Sequence, residues 1–468
     1  MKLAFLSLFT IFLLACQPLS PDSVIGEVAD LPSGWASTDQ AQAGIDTKWI
    51  SRFGDSQLNR LVKEGLKGNP GLRVQAERLQ QSAQNAKVAG AAAKPTLDIS
   101  SDGNRQQRRF VGFAIPGLDS TVFNTFGVSL NASWELDIWG RVKAAQQAEI
   151  AAFEAQRWNL RAAEASLEGQ IVKAYLALCE ANTQVRLAEE AIVIRQQTRD
   201  AIAERFERAL VDEGGTATQY RTAESDIATT KADLVNWKSQ VDSAKRQIEL
   251  LIGRYPAGQL SVSRELPSLP SYPPVGLPSE LLLRRPDILE AERRLAESGQ
   301  REEEALKALY PRFSLTGSTG TTTSELSNIL NSDFGIWSLG ANLSHTILAG
   351  GRLRIEKASR NIESKARLIE LQDTVIQACG EVEAAISAER FLRERVSETN
   401  KALDLAKEAG ESARLDYRDG TSTLQTVLNA EARIIQSASS LTTLNRLLLT
   451  NRVDLHLALG GDFRPNSK

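Results

Sequence analysis

Two stretches of the chain, 140–211 and 351–417, run for about seventy residues each without a proline. At 1.5 Å per residue each predicts a helical rod about 105 Å long. Helices of that length lie far outside the range of globular domains, so they must be held by coiled-coil packing rather than by one compact core. In the first stretch Ile171, Tyr175, Leu178 and Val185 recur at spacings of three, four and seven, with Glu, Gln, Arg and Lys filling the other positions. Charge runs such as Glu302-Glu303-Glu304 read as solvated helix faces.

The two rods belong to two copies of one unit. Asn69-Pro70-Gly71-Leu72, Ala76-Glu77-Arg78-Leu79 and Lys94-Pro95 are followed, in the same order and spacing, by Arg285-Pro286-Asp287-Ile288, Ala291-Glu292-Arg293 and Tyr310-Pro311. Gly140-Arg141 then matches Gly351-Arg352, Ala223-Glu224 matches Ala430-Glu431, and the Gly253 end matches the Gly460 end, at a nearly constant offset of roughly 210 residues. Between the copies, 254–278 holds six of the 15 prolines and reads as an extended connector. The flanking helices, about 66–94 with 217–252 and about 280–309 with 422–458, stack end to end to the length of the rod beside them. Each copy thus predicts two helical columns.

Each copy also carries one pair of strands. From Phe126 the chain alternates strictly, with Val128, Leu130, Ala132, Trp134 and Leu136 on one face and Ser129, Asn131, Ser133, Glu135 and Asp137 on the other. Leu97, Ile99 and Ser101 supply a weaker partner, and Phe313, Leu315, Gly317 with Leu339, Ala341, Leu343, His345 and Ile347 repeat the pattern. Alternation over nine to eleven residues suits a transmembrane barrel strand, apolar to lipid and polar to the lumen, although a water-exposed sheet packed on a core alternates too. The order is therefore 66–253 (helix, hairpin 96–137, long helix, helix), the connector 254–278, then 279–459 with hairpin 312–348, and a tail 460–468.

The first residues resemble a bacterial lipoprotein signal: Lys2, an apolar run over 3–14 too short to span a bilayer, then Ala15-Cys16. This predicts a signal peptide 1–15, acyl chains on Cys16 as the N-terminus, and a linker 16–65. Several acyl chains, at about 0.8 kcal/mol per buried methylene, anchor a protein stably without a spanning helix. Cys179 and Cys379 are expected unpaired, since their positions along the rods differ by about 16 Å of rise and a disulfide needs Cα atoms within about 7 Å.

Other chemistries find no foothold. With 55 basic and 58 acidic residues the chain lacks the positive footprint of a nucleic-acid binder. Two histidines and three cysteines without C-x-x-C or H-E-x-x-H spacing offer no metal or thiol site, and no nucleotide loop or nucleophile elbow occurs. No enzyme and no cofactor beyond the acyl chains is expected. A lipid-anchored adaptor with a helical hairpin would share the signal and the rods, but not barrel-length strands inserted between helices in both copies.

Four amphipathic strands cannot close on themselves, and an open edge in a membrane leaves backbone groups unsatisfied. Three protomers under cyclic symmetry supply twelve strands and twelve helical columns. The expected fold is thus mainly α with transmembrane β: a trimeric 12-stranded β-barrel continued by a 12-column α-helical barrel, each protomer an internal repeat.

On Trp49 with Phe53-Gly54-Asp55 and Leu58, Asn69-Pro70, Trp134 through Arg141, Arg284-Arg285-Pro286-Asp287-Ile288, Tyr310-Pro311, and Tyr417 with Gly420, the chain resembles the TolC-type outer-membrane efflux channels of the OprM/NodT lipoprotein branch. The resemblance implies a homotrimer in the outer membrane of a Gram-negative bacterium, with a periplasmic helical tunnel and 17–65, 254–278 and 460–468 around its equator. It also implies passive conduction of substrates delivered by an inner-membrane pump through a periplasmic adaptor protein, and Gln17 favours the outer membrane over the inner.

In that family the helix turns farthest from the membrane form the periplasmic gate, which places it here at 211–215 and 417–420. A Leu-Asp-Ala acid common after the second tip is replaced by Leu428-Asn429-Ala430. Asp416 and Asp419, three apart, are expected to supply the acidic constriction in place of Asn429, with Arg414 or Arg418 bonding to Asp212 or Glu213 to hold the tips closed. Trp134 and Trp337, near strand ends, are expected in an interfacial girdle, with Trp139 there or packed at the junction.

Overall fold

The computed structural model describes residues 31–37, 49–109, 120–208, 216–262 and 265–461. Cys16, Asp212, Glu213, the signal segment and the tail beyond 461 lie outside them. The elements run in order: α1 (Ser56–Gly68), α2 (Pro70–Ala91), β1 (Thr96–Arg109), β2 (Ser120–Leu136), α3 (Arg141–Glu207), α4 (Ala217–Leu251), α5 (Pro286–Lys307), β3 (Arg312–Thr323), β4 (Gly335–Ser344), α6 (Arg352–Arg418) and α7 (Leu424–Ala458). The long rods are 67 residues each. Among the described residues no helix is long and apolar enough to cross a membrane.

The chain forms two compact units. One comprises 77–157 and 290–371 and holds the sheet; the other comprises the residues up to 76, 158–289 and those from 372. In the sheet unit the four strands lie antiparallel in the order β1-β2-β3-β4. The two hairpins read from the repeats are thus joined through β2 and β3. The helical segments follow the same order. Gly90 of α2 abuts Gln146 of α3, Arg293 and Arg301 of α5 pair with Glu154 and Glu149 of α3, and Lys357 and Asn361 of α6 reach Glu302 of α5. The acidic face of α5 is therefore paired to its neighbours rather than solvated.

In the other unit a 3-10 turn, Trp49–Phe53, and α1 pack onto α3. Trp49, Phe53 and Leu58 are buried with Ile171, Val172, Tyr175 and Cys179 of α3, Ile248 of α4 and Val453 of α7. Each large apolar side chain so buried contributes about 1.5–3 kcal/mol. Asp55 caps α1, accepting from the Gln57 and Leu58 amides at 2.8 and 3.1 Å and from the Tyr175 hydroxyl. The Trp49 to Leu58 motif is thus a packing and capping device. Cys179 is buried and no disulfide joins the two described cysteines; burial pushes the Cys179 thiol up to about 12.

The helix read over 66–94 is in fact two. Pro70 lacks the amide that would continue α1, and Asn69 is extended, its Oδ1 accepting from the Leu72 amide at 2.9 Å. The helix read over 280–309 likewise begins as a 3-10 turn, Pro278–Leu283, and restarts at Pro286. These restarts show the repeat at atomic detail. Gly253, at φ +79°, ends α4 and sits against the Gly68 carbonyl, while Gly460, at φ +99°, ends α7 and sits against the Arg284 carbonyl. Both close a left-handed cap in which the following amide reaches back five residues, Arg254 to Glu249 and Gly461 to His456. Asn69 Nδ2 then donates to the Leu251 carbonyl at 2.8 Å, and Arg285 Nη1 to the Ala458 carbonyl at 3.1 Å.

Candidate functional site

The sheet is built like a membrane wall. Its register puts Leu97 beside Ala132, Gly317 and Leu339; Ile99 beside Leu130 and Trp337's neighbour Thr319; and Trp134 beside Leu315 and Ala341. With Leu136, Phe313 and Leu343 these residues make one apolar face. The opposite face carries Asp98, Ser100, Ser129, Asn131, Ser318 and Ser338, with Phe123 and Ile336 as apolar exceptions. Its hydroxyls and amides bond across the strands, Ser100 with Ser129 at 2.9 Å, Asn131 with Ser100 at 2.9 Å and Ser318 with Ser338 at 2.7 Å, and along β2, Asn131 with Ser129 at 3.1 Å. Along β2 the apolar positions run from Phe126 to Leu136, about 33 Å of strand; a tilt near 40° brings this to about 25 Å of depth, the height of an outer-membrane apolar band.

The residues at the foot of the sheet explain the Trp134 to Arg141 motif. Trp134 Nε1 donates to the Ala93 carbonyl at 2.9 Å, and Trp139 Nε1 donates to the Pro311 carbonyl at 2.8 Å with its ring 5.2 Å from that of Tyr310. The Trp134 indole therefore ties β2 to the link after α2, and the Trp139 indole ties the β2–α3 link to the α5–β3 link. Asp137 caps α3 at the Val142 and Lys143 amides, Gly140 takes φ +78°, and Arg141 holds Glu135 at 2.9 Å. Trp337 stands exposed on the apolar face, opposite Thr319.

At the far ends of the rods, α6 stops at Arg418 in a left-handed cap on Gly420, and Thr421 donates to the Asp416 carbonyl at 2.8 Å. Thr423 caps α7 and Thr216 caps α4 through a capping box. Ile202, Ala223 and Leu424 form a small core with Tyr220, Tyr417 and Leu428 against it, and the Arg205 guanidinium lies 4.1 Å over the Tyr417 ring. Asp416 and Asp419 are exposed. Asn429 is exposed as well and accepts from Gln425 at 3.0 Å.

Arg414 of α6 pairs with Glu431 of α7 at 3.3 Å and Arg418 with its neighbour Asp419 at 3.3 Å; the partners expected for these arginines, Asp212 and Glu213, lie outside the described residues. Glu431 is almost fully enclosed, which pushes its carboxyl up, and the Arg414 guanidinium opposes that shift. Sequence reasoning misses Glu431 because the repeat matches it to Glu224, which instead accepts from the Tyr220 hydroxyl on an exposed face. Among the described residues no group of three or more His, Cys, Asp or Glu is placed to hold a metal.

Comparison with known proteins respects the same division of the chain. The model of the outer membrane efflux protein family matches residues 61–254 and 277–461, and the gap between them falls on the proline-rich connector. The chain is 32% identical over 454 residues to outer membrane protein OprJ of Pseudomonas aeruginosa, covering 93% of this chain and 90% of that one. It is 25% identical to the probable outer membrane lipoprotein SilC of Salmonella typhimurium over 98% of this chain and 99% of that one. Among solved structures it is similar to the outer-membrane channel OprN, with a TM-score of 0.85 and 26% identity, covering 93% of this chain and 97% of that one.

Proposed function

The chain belongs to the outer membrane efflux protein family and is the outer-membrane channel of an efflux system, and from that premise we propose that it works as a homotrimer, conducting small molecules passively and catalysing no reaction. The observation that carries this reading is the sheet, with one apolar face, one hydrogen-bonded polar face, and two open edges at β1 and β4. Three copies close those edges into a barrel of twelve strands whose polar faces line a water-filled lumen. Cargo reaches it from an inner-membrane pump through a periplasmic adaptor protein. Acyl chains on Cys16 add a second anchor in the outer-membrane lipid, a reading supported by the signal-like N-terminus and by the likeness to a probable outer membrane lipoprotein.

Asp416 and Asp419 are proposed to gather cations at the periplasmic entrance. The Arg414–Glu431 pair, which ties α6 to α7, and the Arg205–Tyr417 contact, which ties α3 to α6, support a tip in which the helix ends are held to one another. The test of the channel is a trimer that dissociates on heating in detergent, together with conductance in a planar bilayer. A monomer that leaves the bilayer resistive refutes it.

A further inference from the structure

The apolar face of the sheet ends in positive charge. On β1 the alternation that puts Leu97 and Ile99 on that face continues through Gly103 to Arg105 and Arg109. The Phe126 ring lies 3.3 Å from where a Cβ would stand on Gly103, so the face is still apolar two residues below Arg105. Among the described residues of the four strands these two arginines are the only charged side chains on the apolar face; Asp98, Asp102, Arg108, Glu135 and Arg312 all fall on the opposite one. Both are exposed, and across the strand pair they stand opposite Asn124 and Ser120, neither of which carries a charge to neutralise them.

Their height along the strands fits a layer of lipid headgroups. β3 ends at Thr323, level with Phe126 and Gly103, and β4 starts lower, at Gly335, level with Thr321, Val128 and Ser101. Only the β1–β2 ribbon continues past the apolar positions. Arg105 lies two residues and Arg109 six beyond Gly103, about 5 and 16 Å above the band at a tilt near 40°. The headgroup layer is about 5–8 Å thick on each side of a bilayer, and a long arginine stem carries its guanidinium along apolar surface to polar ground. Arg105 therefore sits inside that layer, and Arg109 beyond it, at the depth where a lipid with a sugar headgroup still extends. The helices join the sheet at its other end, through the links from Ala91 to Thr96 and from Leu136 to Arg141, so with the helices in the periplasm the arginine end faces the exterior.

We propose that Arg105 and Arg109 bind the phosphate groups of the phosphorylated glycolipid in the outer leaflet of the membrane. A guanidinium meets a phosphate through paired N–H donors, and on the lipid-facing side of a barrel the anions within reach are those of lipid. Three copies repeat the pair around the barrel at one height, turned toward lipid rather than cargo. The site rests on the channel reading above, which fixes the face that meets lipid and the end that faces out.

The experiment uses the full-length protein in detergent micelles, with fluorescent lipid A and the same lipid stripped of its phosphates as probes. Arg105→Gln/Arg109→Gln should weaken lipid A binding by about tenfold or more while leaving trimer formation and bilayer conductance as in the parent. Arg108→Gln, on the opposite face of the same strand, should bind lipid A as the parent does. The phosphate-free lipid should bind parent and double variant alike, and inorganic phosphate should displace no more lipid A than chloride does at equal ionic strength. A double variant with parental affinity, an Arg108→Gln variant that loses as much as the double, or displacement by phosphate beyond that by chloride overturns the lipid site. If the parent is trimeric and conducting when any of these is seen, the channel reading stands without the site. If the parent is neither trimeric nor conducting, the channel reading fails and the site falls with it.

Discussion

Arg452 offers a measurable test of how the proline-rich connector is held. Its side chain is wholly buried. Nε and Nη2 bond to Glu389, Nη1 donates to the carbonyls of Pro270 and Ser271 at 2.8 and 2.5 Å, and the guanidinium lies 5.0 Å over the Tyr272 ring. Arg452→Met keeps most of the volume and removes the charge. That leaves Glu389, itself 3% exposed on its side chain, with only the half-exposed Arg393 at 2.9 Å, and strips two connector carbonyls of their donor. Removing one partner of a buried pair costs about 3–5 kcal/mol, and the surviving Arg393 contact argues for the lower end. At about 2 °C per kcal/mol for a unit of this size, the melting point should fall by roughly 6 °C. Arg452→Met/Glu389→Met, which removes the stranded charge as well, should recover most of that loss. Helix melting measured by circular dichroism in detergent reads the stability, and limited proteolysis within 265–278 reads the connector. A single variant that melts with the parent, or a double variant no better than the single, refutes the account.

The same packing sets further outcomes. His456 is buried against Trp49, with ring centroids 5.3 Å apart, and burial, then the charges of Arg452 and Arg52, bring its imidazole from 6.5 down to about 3. Because the folded state resists protonation and the unfolded chain does not, stability is retained above the unfolded value. It is lost as pH falls from about 6.5 toward 3, at about 1.4 kcal/mol per pH unit; His456→Gln should flatten that slope in a pH series of melts. Gly253→Ala should destabilise by at least about 1–2 kcal/mol for its left-handed backbone, and more through contact with the Gly68 carbonyl, seen as a lower melting point. Cys16→Ser should abolish incorporation of labelled palmitate while leaving bilayer conductance intact. Asp416→Asn/Asp419→Asn should reduce cation selectivity and trivalent-cation block, whereas Asn429→Asp should increase both; an unchanged double variant leaves those carboxylates as solvated turn residues.

Legibility in the sequence depends on whether the signal is periodic. The strands are readable because a period of two survives in Val128, Leu130, Ala132 and Trp134 whatever packs against them. The repeat is readable because two copies of one string need no partner to be recognised. The helix restarts at Asn69-Pro70 and before Pro286 escape such reading: a proline at a first helical turn and a proline ending a helix look alike until the side chain of Asn69 is seen capping α2. Pairings are illegible in principle. Nothing local to Arg452 announces Glu389, and nothing local to Glu431 distinguishes it from Glu224, since burial is a property of the neighbours.

The isoleucines of α6, Ile355, Ile362, Ile369 and Ile376, between 62% and 67% exposed, are the instructive case. Their spacing of seven stands plainly in the sequence, yet spacing states only that one helical face is apolar and is silent on what covers it. In Ile171, Tyr175 and Leu178 the same kind of periodicity marks a face buried within the chain. In Ile355, Ile362 and Ile369 it marks a face that the chain leaves open. Only the fold separates the two cases, because it places α6 at the end of a layer that runs out of partners. An apolar row that a chain builds with strict period and then does not bury is a statement about its assembly, and here the open strand edge beside it makes the same statement in backbone hydrogen bonds.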